Sequence, residues 1–270
     1  MTTATRPSYA ALVWERSILE TKEFIRSRDQ MIFIFAFPII FLVLFGAILG
    51  GASAGQGVDF VEYFLAGMIA TGILNTGFQS LAIGLAIDRD DDVLKRLYGS
   101  PLPPSAFFMD KVVHVLMVSI VQIALLLALG YFAYGIEPPT EGSAWLTFTW
   151  VFLLGTAAST LLGLGASSLP KSGRAASAVI TPIVLVLQFI SGVFFVFTQL
   201  PTWLQSVAEV FPLKWLAQGM RSVFLPEDYA QAEARMSWEH GTIAIMLVTW
   251  LVFGLLLALK TFRWQRAGDR

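Results

Sequence analysis

Six apolar runs along this 270-residue chain each approach the length of about 20 residues that crosses a bilayer, and no other feature limits the fold as strongly. They give spans at about residues 31–50, 64–87, 112–134, 145–169, 175–197 and 242–260. Only 14% of the residues are charged and 56% are hydrophobic, whereas a soluble domain carries about 25% charged residues. The expected fold class is an all-α polytopic membrane protein. A leader occupies 1–30, a transmembrane domain 31–262 and a tail 263–270.

The basic residues orient the spans. Of 18 Lys and Arg, 15 fall in the leader, in loops 88–111 and 170–174, or from Lys260 to the end, whereas loops 51–63 and 135–144 carry none. By the positive-inside rule both termini and the two basic loops are cytoplasmic. Within the leader, Ala10, Trp14, Ile18, Thr21 and Ile25 fall on one side of a helix, with Glu15, Arg16, Lys22, Glu23 and Arg26 opposite. That pattern predicts an amphipathic helix lying along the membrane surface, a solvated leader being the plainer alternative. Gly46 and Gly50 form a GxxxG pair in the first span, a weak close-packing signal.

Several function classes drop out. A net charge of −1 gives no footprint for nucleic acid. The chain has no Cys, and His114 and His240 stand far apart, so no metal site is expected. The run from Gly165 to Ser172 has the outline GxxxxPKS, but Pro170 replaces the second glycine of a phosphate loop and removes an N–H. It reads as the end of a span followed by a short turn, which leaves the chain with no visible means of binding ATP. No HExxH is present. The polar residues at depth are Asn75, Gln79, Gln122 and Gln188, whose ordinary role is interhelical hydrogen bonding. Buried Asp, Glu or Arg, which mark ion-coupled paths, are not expected in the spans.

Two segments between spans stand out. In Asp88–Pro104, four acids (Asp88, Asp90, Asp91, Asp92) precede Lys95 and Arg96, an order that suits the macrodipole of a short helix. Leu94, Leu97 and Tyr98 share a face at i, i+3 and i+4, and Pro101, Pro103 and Pro104 stop the helix. Such a helix suits being gripped by something outside the membrane, although a solvated connector would obey the same charge rules. In segment 198–241, Thr202–Val210 and Leu213–Leu225 are apolar and too short to span, with Pro212 between them. Trp203, Phe211 and Trp215 suit an interface. The reading is a helical hairpin dipping into the outer leaflet, with a polar remainder, Pro226–His240, outside; a surface loop is the alternative.

These two segments resemble those of permease subunits of type-2 ABC exporters, closest to the daunorubicin-resistance-like bacterial drug exporters, and the likeness runs from about Ala11 to Gln265. The first motif is Asp88–Asp92, Leu94, Lys95-Arg96, Leu97, Ser100 and Pro101-Leu102-Pro103. The second runs from Leu200-Pro201-Thr202-Trp203 through Phe211-Pro212-Leu213-Lys214-Trp215 to Gly219-Met220-Arg221. The chain departs from the family at Asp92-Val93, where Gly-Thr is frequent, and at Ser100, where Thr is frequent. The resemblance implies that Asp88–Pro104 is a coupling helix seated in a separate ABC ATP-binding subunit, which holds the ATP and Mg2+, while this chain binds no cofactor and is not itself an enzyme. Leu94, Leu97 and Tyr98 would be the docking face, with Asp88, Asp91, Asp92, Lys95, Arg96 and Pro101 around it. The hairpin with Trp203, Phe211, Pro212, Trp215 and Arg221 would close the outer mouth. Two six-span halves, as a homodimer or a heterodimer with a related permease, would enclose a path lined by Asn75, Phe78, Gln79, Gln188, Phe189 and Phe194. The implied setting is the bacterial plasma membrane with its lipid, and the implied cargo a small hydrophobic or amphiphilic substrate moved by alternating access. Export of a glycolipid or polysaccharide, and an ion-gradient-driven carrier, are the alternatives.

Overall fold

A computed structural model describes residues 8–99 and 102–263. Among these, helices α1 (Tyr9–Arg26), α2 (Arg28–Leu49), α3 (Phe60–Leu74), α4 (Leu81–Asp90), α5 (Val93–Tyr98) and α6 (Pro104–Tyr134) come first. Helices α7 (Gly142–Ala166), α8 (Gly173–Ile190), α9 (Thr202–Ala208), α10 (Pro212–Phe224) and α11 (His240–Thr261) follow. The sheet content is one small hairpin, β1 (Ser53–Gly55) against β2 (Val58–Asp59). Asp59 closes it from both sides: one carboxylate oxygen accepts from Gly51 N and the other from Val61 N, both at 2.8 Å, so the same residue caps α3.

Six helical stretches are long and apolar enough to cross a membrane: α2, the continuous rod Phe60–Asp90, α6, α7, α8 and α11. The rod joins α3 to α4 through a π-helical turn, Asn75–Ser80. At 31 residues, the rod and α6 are each about 46 Å long, well beyond the roughly 30 Å of hydrocarbon, so their ends project into the headgroup zone. The third helix therefore starts at Pro104, earlier than the apolar run suggests, and Asp110 and Lys111 lie within it as buried residues. The fifth helix is shorter than expected. It stops at Ile190, and the chain then turns at Gly192, whose φ of +72° suits a residue without a side chain.

The rod is the centre of the bundle, and α3 is buried along almost its whole length. Helix α2 packs on α3, α8 on α4, α1 on α6, and α10 on α3 and α7. The largest helix–helix seam is α7 against α11. It is close because of glycine. A Cβ on Gly254 would lie 2.9 Å from Leu162 N, and one on Gly163 would meet the Gly77 carbonyl in the π turn. The GxxxG pair in α2 works differently. Gly46 is covered by the Tyr134 ring of the same chain, and Gly50 ends the helix. The end carrying α1, α5 and the 170–174 turn is called here the basic end, and the opposite end the hairpin end.

Candidate functional site

At the basic end the charged connector divides differently from the expected single helix. Asp88 and Asp90 belong to the last turn of α4, Asp92 takes a left-handed φ of 57°, and α5 begins only at Val93. The acids are thus not all at the head of one helix. Asp90 instead accepts from Gly173 N at 2.7 Å, placing its charge at the positive end of α8. Asp91, Asp92, Lys95 and Arg96 are exposed.

The expected docking face also splits. Leu94 is 1% exposed, sealed among Leu81, Leu85, Phe107, Leu161, Leu164 and Ala258, with Leu97 half-buried against the same cluster. Both leucines hold α5 onto its own bundle, because burying them there removes apolar surface that the water side would otherwise meet. Tyr98, 60% exposed, is the member of the trio that faces outward. Pro101 lies outside the described residues.

Helix α1 docks beside this connector through charge. Arg16 Nε bonds Asp110 Oδ2 at 2.9 Å, Lys111 Nζ meets Glu20 Oε1 at 2.6 Å, and Thr21 Oγ1 lies 2.9 Å from His114 Nδ1. Burial acts to raise the Glu20 carboxyl, but the Lys111 ammonium and Arg16 guanidinium outweigh it and hold it below its ordinary value. The packed face of α1 is Val13, Ser17 and Phe24, whereas Trp14 and Ile25 of the expected apolar side are exposed. That is the arrangement of a helix with one face on its bundle and an adjacent apolar strip free for lipid.

Between α2, the π turn with α4, and α8 lies a cleft of about 430 Å³. Asn75 and Gln79, four residues apart on one face of the π turn, both line it, with Phe33, Ile83 and Ile87 supplying apolar wall. Their amides are engaged. Gln188 Nε2 donates to Asn75 Oδ1 at 2.9 Å, and Gln79 Nε2 donates to Thr181 Oγ1 at 3.0 Å, which ties the turn to α8. At the cleft floor Gln30 Nε2 donates to Ser80 Oγ at 2.6 Å.

The other four residues expected on this path do not line the cleft. Gln188 is buried behind Asn75, and Phe78 packs into the main apolar core. Because the chain turns at Gly192, Phe194 swings inward and packs at a tilt against Phe41 and Phe64, at centroid distances of 5.6 and 6.1 Å. Phe189 leans on Phe194 from the outer side and stays 49% exposed.

The hairpin end holds the expected broken pair, α9 and α10, with Pro212 opening α10. Trp203 is 67% exposed. Phe211 stacks on Trp250, and the buried Trp215 donates to Glu209 O at 2.6 Å. The polar stretch after it packs onto the protein rather than standing solvated: Tyr229, Glu233 and Trp238 are buried. The cause is Arg221. This side chain is fully buried and gives Glu233 two charge-assisted bonds, at 2.6 and 3.1 Å, while lying 4.9 Å over the Tyr63 ring.

Tyr63 donates to Gly192 O and accepts from Phe197 N, at 2.9 and 3.1 Å, joining α3 and the 191–197 turn to the same centre. Lys214 is also fully buried. It donates to Gln218 Oε1 at 2.6 Å and sits 3.5 Å over the Trp215 ring. Burial, reinforced by the nearby Arg221 charge, pushes its ammonium down to about 8. Sequence reasoning missed Glu233, Lys214 and Tyr63. The available signal was Arg221 itself, since an arginine in an apolar hairpin needs a carboxylate within reach.

Comparison with known proteins converges on the same assignment. A family described as ABC-2 type transporter matches residues 11–225. A putative transport permease of Porphyra purpurea, ycf38, is 24% identical over 80% of this chain and 75% of its own length. Its counterpart in Cyanophora paradoxa is 25% identical over 84% of this chain and 80% of its own. The probable multidrug ABC transporter permease YbhR of Escherichia coli K12 is 26% identical over 54% of this chain and 39% of its own. With six apolar helices, a short connector helix at the basic end, a broken hairpin before the last span and a family match over most of its length, the chain belongs to the ABC-2 type transporter family of multi-pass membrane permeases.

Proposed function

We propose that this chain is the permease half-unit of an ATP-driven exporter, that two such halves form a homodimer or a heterodimer, and that a separate ABC ATP-binding subunit supplies ATP hydrolysis with its Mg2+. Members of this family normally work with an ABC ATPase. The observation that carries the reading is the position of the 430 Å³ cleft. It lies between the first, second and fifth spans, is walled by Asn75, Gln79, Phe33 and Ile87, and shares the rod Phe60–Asp90 with the connector to α5. A movement of α5 therefore reaches the cleft wall along one continuous helix. A mostly apolar lining with a few amides and no buried cation suits a hydrophobic or amphiphilic drug-like or lipid-like molecule. The distribution of Lys and Arg supports a cytoplasmic basic end with cytoplasmic termini; in that orientation, in a bacterial plasma membrane, the cleft takes substrate from the inner leaflet and alternating access delivers it outward.

The test is copurification of the tagged chain from its native membrane, followed by reconstitution. An ATPase with a phosphate loop should be recovered in near-equal amount, and its activity should rise with amphiphilic substrates in the wild type but much less with Asn75→Leu/Gln79→Leu. Substrate flux driven by an ion gradient with no ATPase present would overturn the proposal.

A further inference from the structure

A second cleft, of about 700 Å³, opens at the basic end where the ends of α4, α7, α8 and α11 converge. It shares no wall residue with the cleft described above. Four cations line it, Arg89, Lys171, Arg174 and Arg263, against one carboxylate, Asp90.

Among the described lining residues the cations outnumber the carboxylate by three. Arg89 is 9% exposed, and its three hydrogen bonds go to neutral oxygens: Ser167 O at 2.8 Å, Ser167 Oγ at 3.1 Å and Arg263 O at 2.9 Å. Asp90, whose charge also acts on Arg89, accepts from Gly173 N at 2.7 Å. Lys171 and Arg174 are exposed and make no ion pair among the described residues. Arg174 also sits in the first turn of α8, which contains no acid, where the macrodipole disfavours a cation.

The cleft lies at the level where four helices leave the bilayer, and one lip is apolar: the lining residue Leu169 is 60% exposed. A phosphate would meet the cations, and an acyl chain would run along Leu169. Basic recesses between helices at a membrane face take anionic headgroups for these reasons. The geometry points to a binding site for the phosphate headgroup of an anionic phospholipid in the leaflet at the basic end. Its apolar lip favours a lipid over free phosphate, and it lies apart from the exposed Tyr98 of the connector.

The experiment is native mass spectrometry of the full chain released from nanodiscs containing equal phosphatidylglycerol and phosphatidylcholine. Wild type should retain phosphatidylglycerol preferentially. Lys171→Gln/Arg174→Gln should weaken that retention by roughly 30-fold, at about tenfold or less per cation, and leave phosphatidylcholine unchanged. The charge-conserving pair Lys171→Arg/Arg174→Lys should retain the lipid, which separates lost charge from misfolding, and inorganic phosphate should displace little of it. Equal retention of the two lipids would overturn the proposal, as would unchanged retention in the glutamine pair. So would full displacement by inorganic phosphate, which would mark a free-anion site. Loss of a copurifying ATPase from the glutamine pair with lipid retention intact would overturn it in favour of a protein dock.

Discussion

Replacing Glu233 with Ala should be among the most damaging single changes at the hairpin end, although the residue touches neither cleft. The mutation leaves the Arg221 guanidinium, fully buried and held by Glu233 at 2.6 and 3.1 Å, without a counter-charge. The remaining partners, Gly192 O at 3.4 Å and the Tyr63 ring at 4.9 Å, do not replace a carboxylate. Breaking one side of such a pair costs about 3–5 kcal/mol, whereas replacing both sides with apolar groups of similar volume is often neutral or stabilising. At about 2–4 °C per kcal/mol for a chain near this size, Glu233→Ala should melt roughly 6–20 °C below wild type. The double variant Arg221→Met/Glu233→Leu should melt close to wild type. Thermal melts of wild type, Arg221→Met, Glu233→Leu and the double variant in one detergent, followed by tryptophan fluorescence, complete the cycle. Simple addition of the two single losses in the double variant would refute the claim that the two charges are energetically one unit.

Three further outcomes follow from the same coordinates. Leu94→Ala should cost about 2–5 kcal/mol of permease stability, because the side chain is sealed in its own bundle, whereas Tyr98→Ala should melt like wild type yet lose a copurifying ATPase; identical behaviour of the two would show that the inward–outward split of α5 is wrong. Lys214 has a folded-state value of about 8 against an ordinary 10.5, so the cost of burying its charge is full below pH 8 and fades between 8 and 10.5. The stability of wild type relative to Lys214→Met, measured as a melting difference, should therefore rise with pH across that window, and a flat difference would count against a buried ammonium. Gly254→Leu should destabilise by about 1–3 kcal/mol or more through overpacking, while Gly241→Ala, where a Cβ meets open space, should be silent in the same melt.

What was legible in the sequence was what depends on composition along the chain. The six spans, a short helix within the connector (Val93–Tyr98) and the broken hairpin before the last span are all present. The misreadings fell where a residue's role depends on a partner distant in sequence. Leu94 has the spacing of an outward face, and only the arrival of Leu161, Leu164 and Ala258 turns it inward. Phe194 reads as part of a span because its run is apolar, yet Gly192 turns the chain before it. Glu233 sits in a polar stretch that would be solvated but for Arg221, twelve residues earlier. Asn75 and Gln79 were found as polar residues at depth, but the π turn that sets both into one cleft wall has no signature in the residue pattern.

The glycine seam makes the protomer mechanically uneven. Where Gly254 meets Leu161 and Leu162, and Gly163 meets the π turn, backbones touch with no side chain between them to shear or re-pack. Helices α7 and α11 and the middle of the rod are thereby fused into one stiff block. Leu94 is rooted in that block, so a load applied to α5 is shared at once by the rod, α6, α7 and α11. Helices α2 and α8 lie outside it, each packed chiefly on one neighbour, α2 on α3 and α8 on α4. Compliance is therefore concentrated in the two helices that flank the Asn75–Gln79 cleft. A stroke from the basic end moves the block as a lever, and the cleft changes width where those two helices yield.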